Sequence, residues 1–376
     1  MKFTTVNTDL YRALDGVCGA LPKKPEKEIL KCVLLERKND LLELRATDME
    51  ISIRHKIPVN FLSEEGDEPN VIAVPAQEFL DTCRSLPDIP ITCEIDDKCK
   101  IVLSHASGQY DWMGYKGESF PEFPSITDAQ EIQFDRQLLK TGFDLVGFAT
   151  GQDASRPGMM GILFEILEGS ARVVSTDGHR LTRCIFKSYD GDLDVKALAP
   201  HKAFQQFARI DGLDKCSIQI TENHLCLDLG YAQVISRLIN AKFPKYERAI
   251  PEENDKIVLV DRRELLGSIQ RVNIFASENS NHIVLDCKDD TIVINAVDVE
   301  RSSKGSETVN CSYSGEPTQI GFNAQYLLEL LRYLPSDEIT LSMGIPNRAA
   351  LLKPVPQDDD IHLTFLIMPI MLNKLE

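Results

Sequence analysis

The chain is short of several things that would point to chemistry. It has a single tryptophan among 376 residues, no Cys-x-x-Cys pair, and no apolar run near the ~20 residues of a membrane span. It also lacks a GxxxxGK[ST] loop, a GxGxxG after a strand, an HExxH, and carboxylates clustered at metal spacing. Nucleotide-driven, metal-dependent and redox enzymes therefore have no support, and neither a cofactor nor a metal is expected. The ten cysteines are scattered, and Cys93-x5-Cys99 has no second pair nearby to complete a zinc site. Cys32 and Cys287 sit in apolar, strand-like runs and are expected to be reduced core thiols. Basic residues are outnumbered, 41 Lys and Arg against 58 Asp and Glu, for a net charge of −17. That balance argues against a protein that simply coats nucleic acid, although the position of the cations matters more than their total. The opening MKFTTVNTDLYRAL has neither the basic start nor the apolar centre of a secretion signal, so a cytoplasmic location is expected.

What the chain does have is one unit written three times. Three strand ends read alike, LRATDMEIS at Asp48, VVSTDGHRL at Asp177 and INAVDVERS at Asp298, spaced 129 and 121 residues apart. Before each lies an amphipathic helical stretch opening at Asn7, Asp135 or Asp261, residues able to accept the free amides of a first turn. After each comes a second helical stretch, from Pro75, Pro200 and Asn323, and then an alternating strand, ITCEI, SIQIT and EITLSM. Each copy closes on a similar signature, FPEFP, KFPKY and IMPIM. Chance among amphipathic elements does not keep this order and spacing. A solenoid would use much shorter repeats, so about 125 residues per copy implies three whole domains. The boundaries are placed at 1–126, 127–253 and 254–376, in polar, turn-rich stretches. In the middle copy, GMMGILFEI and ARVVSTD on either side of Glu168-Gly169 read as a β-hairpin.

Two surfaces stand out. Arginine recurs nine positions after the start of each second helix, at Arg84, Arg209 and Arg332. Lys23, Lys24, Arg136, Lys140, Arg263 and Arg271 lie on or beside the first helices. A surface helix ordinarily carries such residues on a solvated face. Recurrence in three pseudo-symmetric domains would instead line one surface with positive charge, able to follow phosphates without reading bases. The second surface is apolar: RPGMMG, DGHRL, KFPKYERAIP and the terminal TFLIMPIML are rich in Met, Leu and Pro. Half of Leu366–Leu372 belongs in a core strand, and its Met-Pro-Ile-Met ending is expected to project into a groove. Asp177 and His179 suggest an acid–base pair, but no nucleophile motif accompanies them, so a hydrolase is the weaker reading. A three-domain scaffold that binds peptides without encircling DNA is the other alternative.

RPGMMGILFE, VVSTDGHRLT, LINAKFPKYERAIP, YSGEPTQIGFNAQYLLELL and FLIMPIML together make the chain resemble the β subunit of bacterial DNA polymerase III, the sliding clamp, over essentially its whole length. The resemblance implies an α+β fold of three clamp domains, each with two helices packed on antiparallel sheets. Two chains would form a head-to-tail homodimer, a six-domain ring around duplex DNA. It implies a non-catalytic processivity factor that tethers the polymerase III catalytic subunit, the clamp loader, and other polymerases and repair proteins.

The resemblance also implies a partner-peptide pocket between the second and third domains. Carried onto matching positions, it comprises Met159, Thr176, Gly178, His179, Arg180, Leu181, Pro244, Arg248, Ala249, Asn323, Tyr326, Leu366, Ile367, Met368, Pro369, Ile370 and Met371. Ala249 replaces a larger residue, Met371 stands where the family commonly has Arg, and Asn373–Glu376 extend past the usual end. For the dimer seam the resemblance implies Gln109, Tyr110 and Trp112 against Ile274 and Phe275, with a weak acidic run in VDVERSSKGSE.

Overall fold

A computed structural model describes residues 1–62, 70–187, 189 and 193–372. Asn373–Glu376, and with them the tail that passes the family's usual end, lie outside the described residues. The chain divides into two compact units, Met1–Lys140 with Lys202–Leu238, and Thr141–His201 with Ile239 to the C-terminus.

Among the described residues six α-helices follow the repeat: α1 (Asn7–Cys18), α2 (Ala76–Ser85), α3 (Arg136–Gly147), α4 (His201–Arg209), α5 (Arg262–Asn273) and α6 (Ala324–Tyr333). Their apolar spacing buries one face of each. In α1 that face is Leu10, Ala13, Leu14 and Val17, all fully buried, each large side chain contributing roughly 1.5–3 kcal/mol. Asp135 and Asp261 cap their helices as expected, accepting from Leu138 N and Glu264 N, both at 2.8 Å. Asn7 does not. It is buried, and its Nδ2 donates to Cys83, Leu86 and Pro87 carbonyls at 2.9, 3.1 and 3.2 Å, satisfying the end of α2 instead. A buried amide fills the carbonyls of a neighbouring helix end in preference to its own first turn.

The strand pairings are antiparallel. In the first unit, a five-stranded sheet runs Asn60–Phe61, Lys2–Val6, Pro90–Ile95, Lys100–His105, Gly108–Met113. A nine-stranded sheet runs Tyr115–Lys116, Val71–Pro75, Cys32–Lys38, Leu41–Thr47, Ile51–Pro58, then Ala232–Arg237, His224–Asp228, Lys215–Ile220 and Gln130–Asp135. In the second unit, an eight-stranded sheet runs Val195–Pro200, Gly161–Leu167, Ser170–Thr176, Arg180–Phe186, then Ile361–Ile367, Ala350–Val355, Glu338–Met343 and Lys256–Asp261. A four-stranded sheet runs Ser303–Asn310, Thr291–Asp298, His282–Lys288, Thr318–Asn323.

The two large sheets are each assembled from two repeats. The pairing of Ile51 with Ser236 and its neighbours joins the first copy to the second, and Arg180–Ile367 through Phe186–Ile361 join the second to the third. The first copy's other half-sheet ends at Gly108–Met113, and the third copy's ends at Ser303–Asn310. Among the described residues these two strands have one partner each, and they stand where the joining strands stand in the other copies.

The hairpin at Glu168-Gly169 is present, with φ of 53° and 70° at those residues, the left-handed pair a tight two-residue turn requires. Seven cysteines are buried, and burial raises the Cys83, Cys93, Cys184, Cys216, Cys226 and Cys287 thiols to about 12.

Candidate functional site

The three aspartates that reveal the repeat are turn-formers. Asp48 accepts from Ile51 N at 2.7 Å, Asp177 from Arg180 N at 3.0 Å, and Asp298 from Arg301 N at 3.0 Å. In the second and third copies the same carboxylate also takes the arginine Nε, at 3.1 Å for Arg180 and 2.6 Å for Arg301. Gly178, at φ +89°, occupies a left-handed position that Met49 fills at φ 75° in the first copy. Thr176 completes the turn, its Oγ1 donating to Arg180 O at 2.6 Å and accepting from Gly178 N at 3.0 Å.

This turn fixes His179 and Arg180 at one end of the eight-stranded sheet. The His179 ring stacks on Tyr326, centroids 5.6 Å apart at 16°. Asp177 is committed to the turn and to Arg180, so it forms no acid–base pair with His179. Arg180 is nearly buried, paired with Glu329 as well as Asp177, and its guanidinium lies over Tyr326 at 5.0 Å and Phe148 at 5.4 Å.

Around these groups lies a cavity of about 530 Å³, lined by Phe148, Thr150, Gly151, Gln152, Asp177, His179, Arg180, Tyr326, Glu329, Arg332 and Tyr333. A smaller cavity of about 240 Å³ adjoins it, lined by Gly151, Gln152, Asp153, Arg156, Met159, Asp177 and His179. An apolar cluster built on the same sheet gathers Leu163, Val174, Leu181, Leu198, Tyr246, Ala349, Leu351 and Leu366, with Ile239, Phe243 and Ile250 packed against it. The residues expected in the peptide pocket thus divide. Met159, His179, Arg180 and Tyr326 line the cavities, and Leu181 and Leu366 are buried in the cluster. Asn323 caps α6, accepting from Gln325 N at 2.9 Å. Ile367 ends the last strand fully buried, and Met368 N continues the ladder to His179 O at 2.8 Å. Met368 and Met371 are 40% and 72% exposed, so the Met-Pro-Ile-Met ending does leave the core.

Sequence reading missed Phe148, Glu329 and Tyr333. Phe148 and Tyr333 stack face to face at 4.0 Å and 8°, and nothing in either local sequence announces a partner so far away. It also missed Glu165, which is fully buried and accepts from the Tyr246 hydroxyl at 2.5 Å. Burial, and then that hydrogen bond, push the Tyr246 phenol well above its ordinary range.

The basic residues are more compensated than their recurrence suggests. Arg84 pairs with Asp81 at 2.8 Å and approaches Asp15 at 3.9 Å, and Arg209 reaches the same Asp15 at 3.2 Å. Arg263 pairs with Asp337 at 2.9 Å and Arg271 with Glu307 at 2.8 Å. Arg136 turns inward, its Nη2 donating to Ile210 O at 2.6 Å. Lys23 and Lys24 are exposed, Lys140 is half-buried, and Arg332 is exposed at the rim of the larger cavity.

Of the residues expected at a seam, Gln109, Tyr110 and Trp112 lie on the edge strand Gly108–Met113, with Trp112 edge-on to Phe79 at 5.7 Å. Ile274 and Phe275 follow α5, which packs on the other edge strand, and are 68% and 39% exposed. The Phe275 ring covers Gly305 so closely that a Cβ there would meet it at 2.6 Å.

Three copies of two helices on antiparallel half-sheets, joined through shared sheets, define a DNA-clamp fold. Domain models of the DNA polymerase III beta subunit match all three copies, the N-terminal domain over residues 1–124, the central domain over 133–245 and the C-terminal domain over 247–371. The chain belongs to the DNA polymerase III beta subunit family. It is 28% identical to the beta sliding clamp of Pseudomonas putida over 376 residues, covering 99% of this chain and all of that one. The solved DNA polymerase III subunit beta of Pseudomonas aeruginosa is 28% identical with a TM-score of 0.91, over 99% of this chain and 100% of that one. A second structure of the Pseudomonas aeruginosa clamp, bound to griselimycin, is 27% identical with a TM-score of 0.91 and the same coverage.

Proposed function

We propose that the protein is a non-catalytic processivity factor whose three domains, 1–126, 127–253 and 254–376, form half of a six-domain ring around duplex DNA. The observation that carries this reading is the pair of edge strands, Gly108–Met113 and Ser303–Asn310. Within the chain their counterparts, Ala232–Arg237 and Ile361–Ile367 on one side, Ile51–Pro58 and Arg180–Phe186 on the other, are paired with each other. A head-to-tail homodimer would repeat that pairing between chains, by strand addition, and two such seams would close the ring. Gln109, Tyr110 and Trp112 would meet the Ser303–Asn310 edge, flanked by Ile274 and Phe275.

The ring holds DNA by topology, so its contacts with phosphates need only be weak, salt-sensitive and sequence-independent. Lys23, Lys24, Arg84, Arg136, Lys140, Arg209, Arg263, Arg271 and Arg332 are the contributors proposed. The cavities and apolar cluster of the eight-stranded sheet would receive short peptides from the polymerase III catalytic subunit, the clamp loader, and other polymerases and repair proteins. An apolar anchor would enter near Leu181 and Leu366, with His179, Arg180 and Tyr326 fixing its orientation. Tethering then makes polymerase rebinding a local event at high effective concentration. A cytoplasmic location accords with this role, and no helix among the described residues is long and apolar enough to cross a membrane.

The test is retention on nicked circular DNA after loading by a clamp loader, with linearisation of the same DNA as the comparison. A ring stays on the circle and runs off the linear form. Equal retention on both, or a stable monomer by sedimentation, would favour a peptide-binding scaffold that does not encircle DNA.

A further inference from the structure

One carboxylate sits where an apolar side chain belongs. Glu165 is the fifth residue of Gly161–Leu167, GILFEIL, and is fully buried. A buried, ionised carboxylate is destabilising unless counter-charges and hydrogen bonds surround it. The sheet register supplies the charges: Arg172 and Lys196 stand directly opposite Glu165 on the two flanking strands. Arg172 Nε lies 3.4 Å from Oε1 and Lys196 Nζ 3.1 Å from Oε2. Neither is aligned to donate, since Oε2 and Arg172 Nε both lack a hydrogen-bond partner. Among the described residues, the one side-chain hydrogen bond that Glu165 receives comes from the Tyr246 hydroxyl.

Tyr246 opens the short 3-10 turn Tyr246–Ala249, in the segment leading from the second repeat to the third. Its ring belongs to the apolar cluster that holds Leu181 and Leu366, and Phe243 packs edge-on against it at 6.1 Å. The same segment is approached closely elsewhere. A Cβ at Gly158 would come within 2.2 Å of the Lys242 carbonyl, so that contact is backbone against backbone.

The first repeat links the corresponding two positions by a different contact, through an arginine between a partly exposed carboxylate and an aromatic ring. Glu36 stands at the position of Glu165 in Cys32–Lys38, and Phe123 stands at the position of Tyr246, three residues after the Phe of the Phe-Pro pair. There Arg45 pairs with Glu36 at 2.8 Å and lies over the Phe123 ring at 5.5 Å. In the third repeat the acidic position is Asp286, which takes Gln319 instead, and the matching Met371 is exposed. The link between the acidic strand position and the closing aromatic is therefore made in the two repeats that lead into another.

We infer that Glu165, acting through Tyr246, is a positioning residue for the peptide pocket, pinning the 242–249 segment so that Pro244, Arg248 and Ala249 present one fixed wall. The inference rests on the proposed pocket, but the pin itself is separately measurable. Full-length Y246F and E165Q are compared with the parent chain. Two readouts are taken: hydrogen exchange of the backbone amides of residues 245–250, and anisotropy of a labelled peptide carrying a glutamine followed by a Leu-Phe ending. Y246F is expected to speed exchange in that segment about tenfold. It should weaken peptide binding roughly three- to tenfold, because a smaller fraction of the protein then holds the competent wall. E165Q keeps an oxygen for the Tyr246 hydroxyl and is expected to stay close to the parent in both.

Unchanged exchange in Y246F overturns the pin, whatever the peptide does. Faster exchange with unchanged affinity overturns the positioning role. If the parent chain binds no peptide, the pocket reading and the positioning role fall together, while the exchange data still decide the pin. Should Y246F fail to fold, E165L/Y246F removes the buried charge with its partner and carries the same two readouts.

Discussion

At the scale of single residues, His55 shows how burial sets a charge state. It lies in the strand Ile51–Pro58, beside Tyr231 with ring centroids 5.1 Å apart, and lines a cavity of about 390 Å³ with Arg12, Asp15, Arg209 and Ile210. Desolvation lowers its pKa from 6.5 to about 4, opposed in part by a hydrogen bond with the Lys56 backbone. As pH falls below 6.5 the unfolded chain takes up this proton before the folded one does. The stability that neutral His55 supports is therefore complete above pH 6.5 and drains away between 6.5 and 4. Between about pH 7.5 and pH 5.5 the loss attributable to this group is about 1 kcal/mol. His55→Gln should flatten the pH dependence of urea-unfolding stability by that amount across this range. An unchanged slope would show that His55 is hydrated and ordinary. The residue scale is also where the sequence was least informative. GILFEIL reads as an apolar strand with one polar interruption, and only the register with Arg172 and Lys196 reveals why Glu165 can be buried there. Asn7 reads as a helix cap, and only the position of α2 turns it into a donor to another helix's carbonyls.

At the scale of elements, the two edge strands make the firmest expectation. Ile274 is 68% exposed at the end of α5, so Ile274→Asp alters no packed core. It should convert the proposed dimer to monomer in sedimentation while leaving thermal unfolding of the monomer within a few degrees, since an exposed substitution changes stability little. A variant that remains dimeric would place the seam elsewhere. The elements themselves were largely legible. Helix periodicity, the Glu168-Gly169 turn and the spacing of Asp48, Asp177 and Asp298 all follow from local chemistry. The sheet that joins Ser52 to Ile235 was not, because a strand pairing across so long a stretch of chain leaves no mark in either segment. Leu181 and Leu366 belong to the apolar stretches DGHRL and TFLIMPIML, and their assignment to the proposed pocket rests on the family resemblance. Their own sequences say core, and core is where their side chains are.

At the scale of the whole molecule, the proposed ring, built of chains of net charge −17, would retain DNA by enclosure with little attraction. Arg84, Arg209 and Arg332 recur at the ends of α2, α4 and α6, where a cation also complements the helix dipole. Arg84 and Arg209 share Asp15, which leaves each with part of its charge already answered. Reversing all three to Glu should shorten the lifetime on circular DNA severalfold at low salt. It should also reduce the salt dependence, by about 0.9 in the logarithmic slope for each phosphate that is no longer neutralised. Unchanged lifetime and slope would remove these residues from the DNA-facing set. The ion pairs themselves are exposed and support little stability, so the variant is expected to remain folded.

The edge strands have one more consequence. If those edges meet as proposed, each chain carries one socket and one plug of the same joint, so self-association is formally a polymerisation. In the proposed ring it would end only because the turn made by each chain brings the second plug back to the first socket. No side chain in the strands counts to two. The number of subunits would be set by curvature instead, and a change far from either end that opened that curvature would yield an elongating filament from perfectly formed joints.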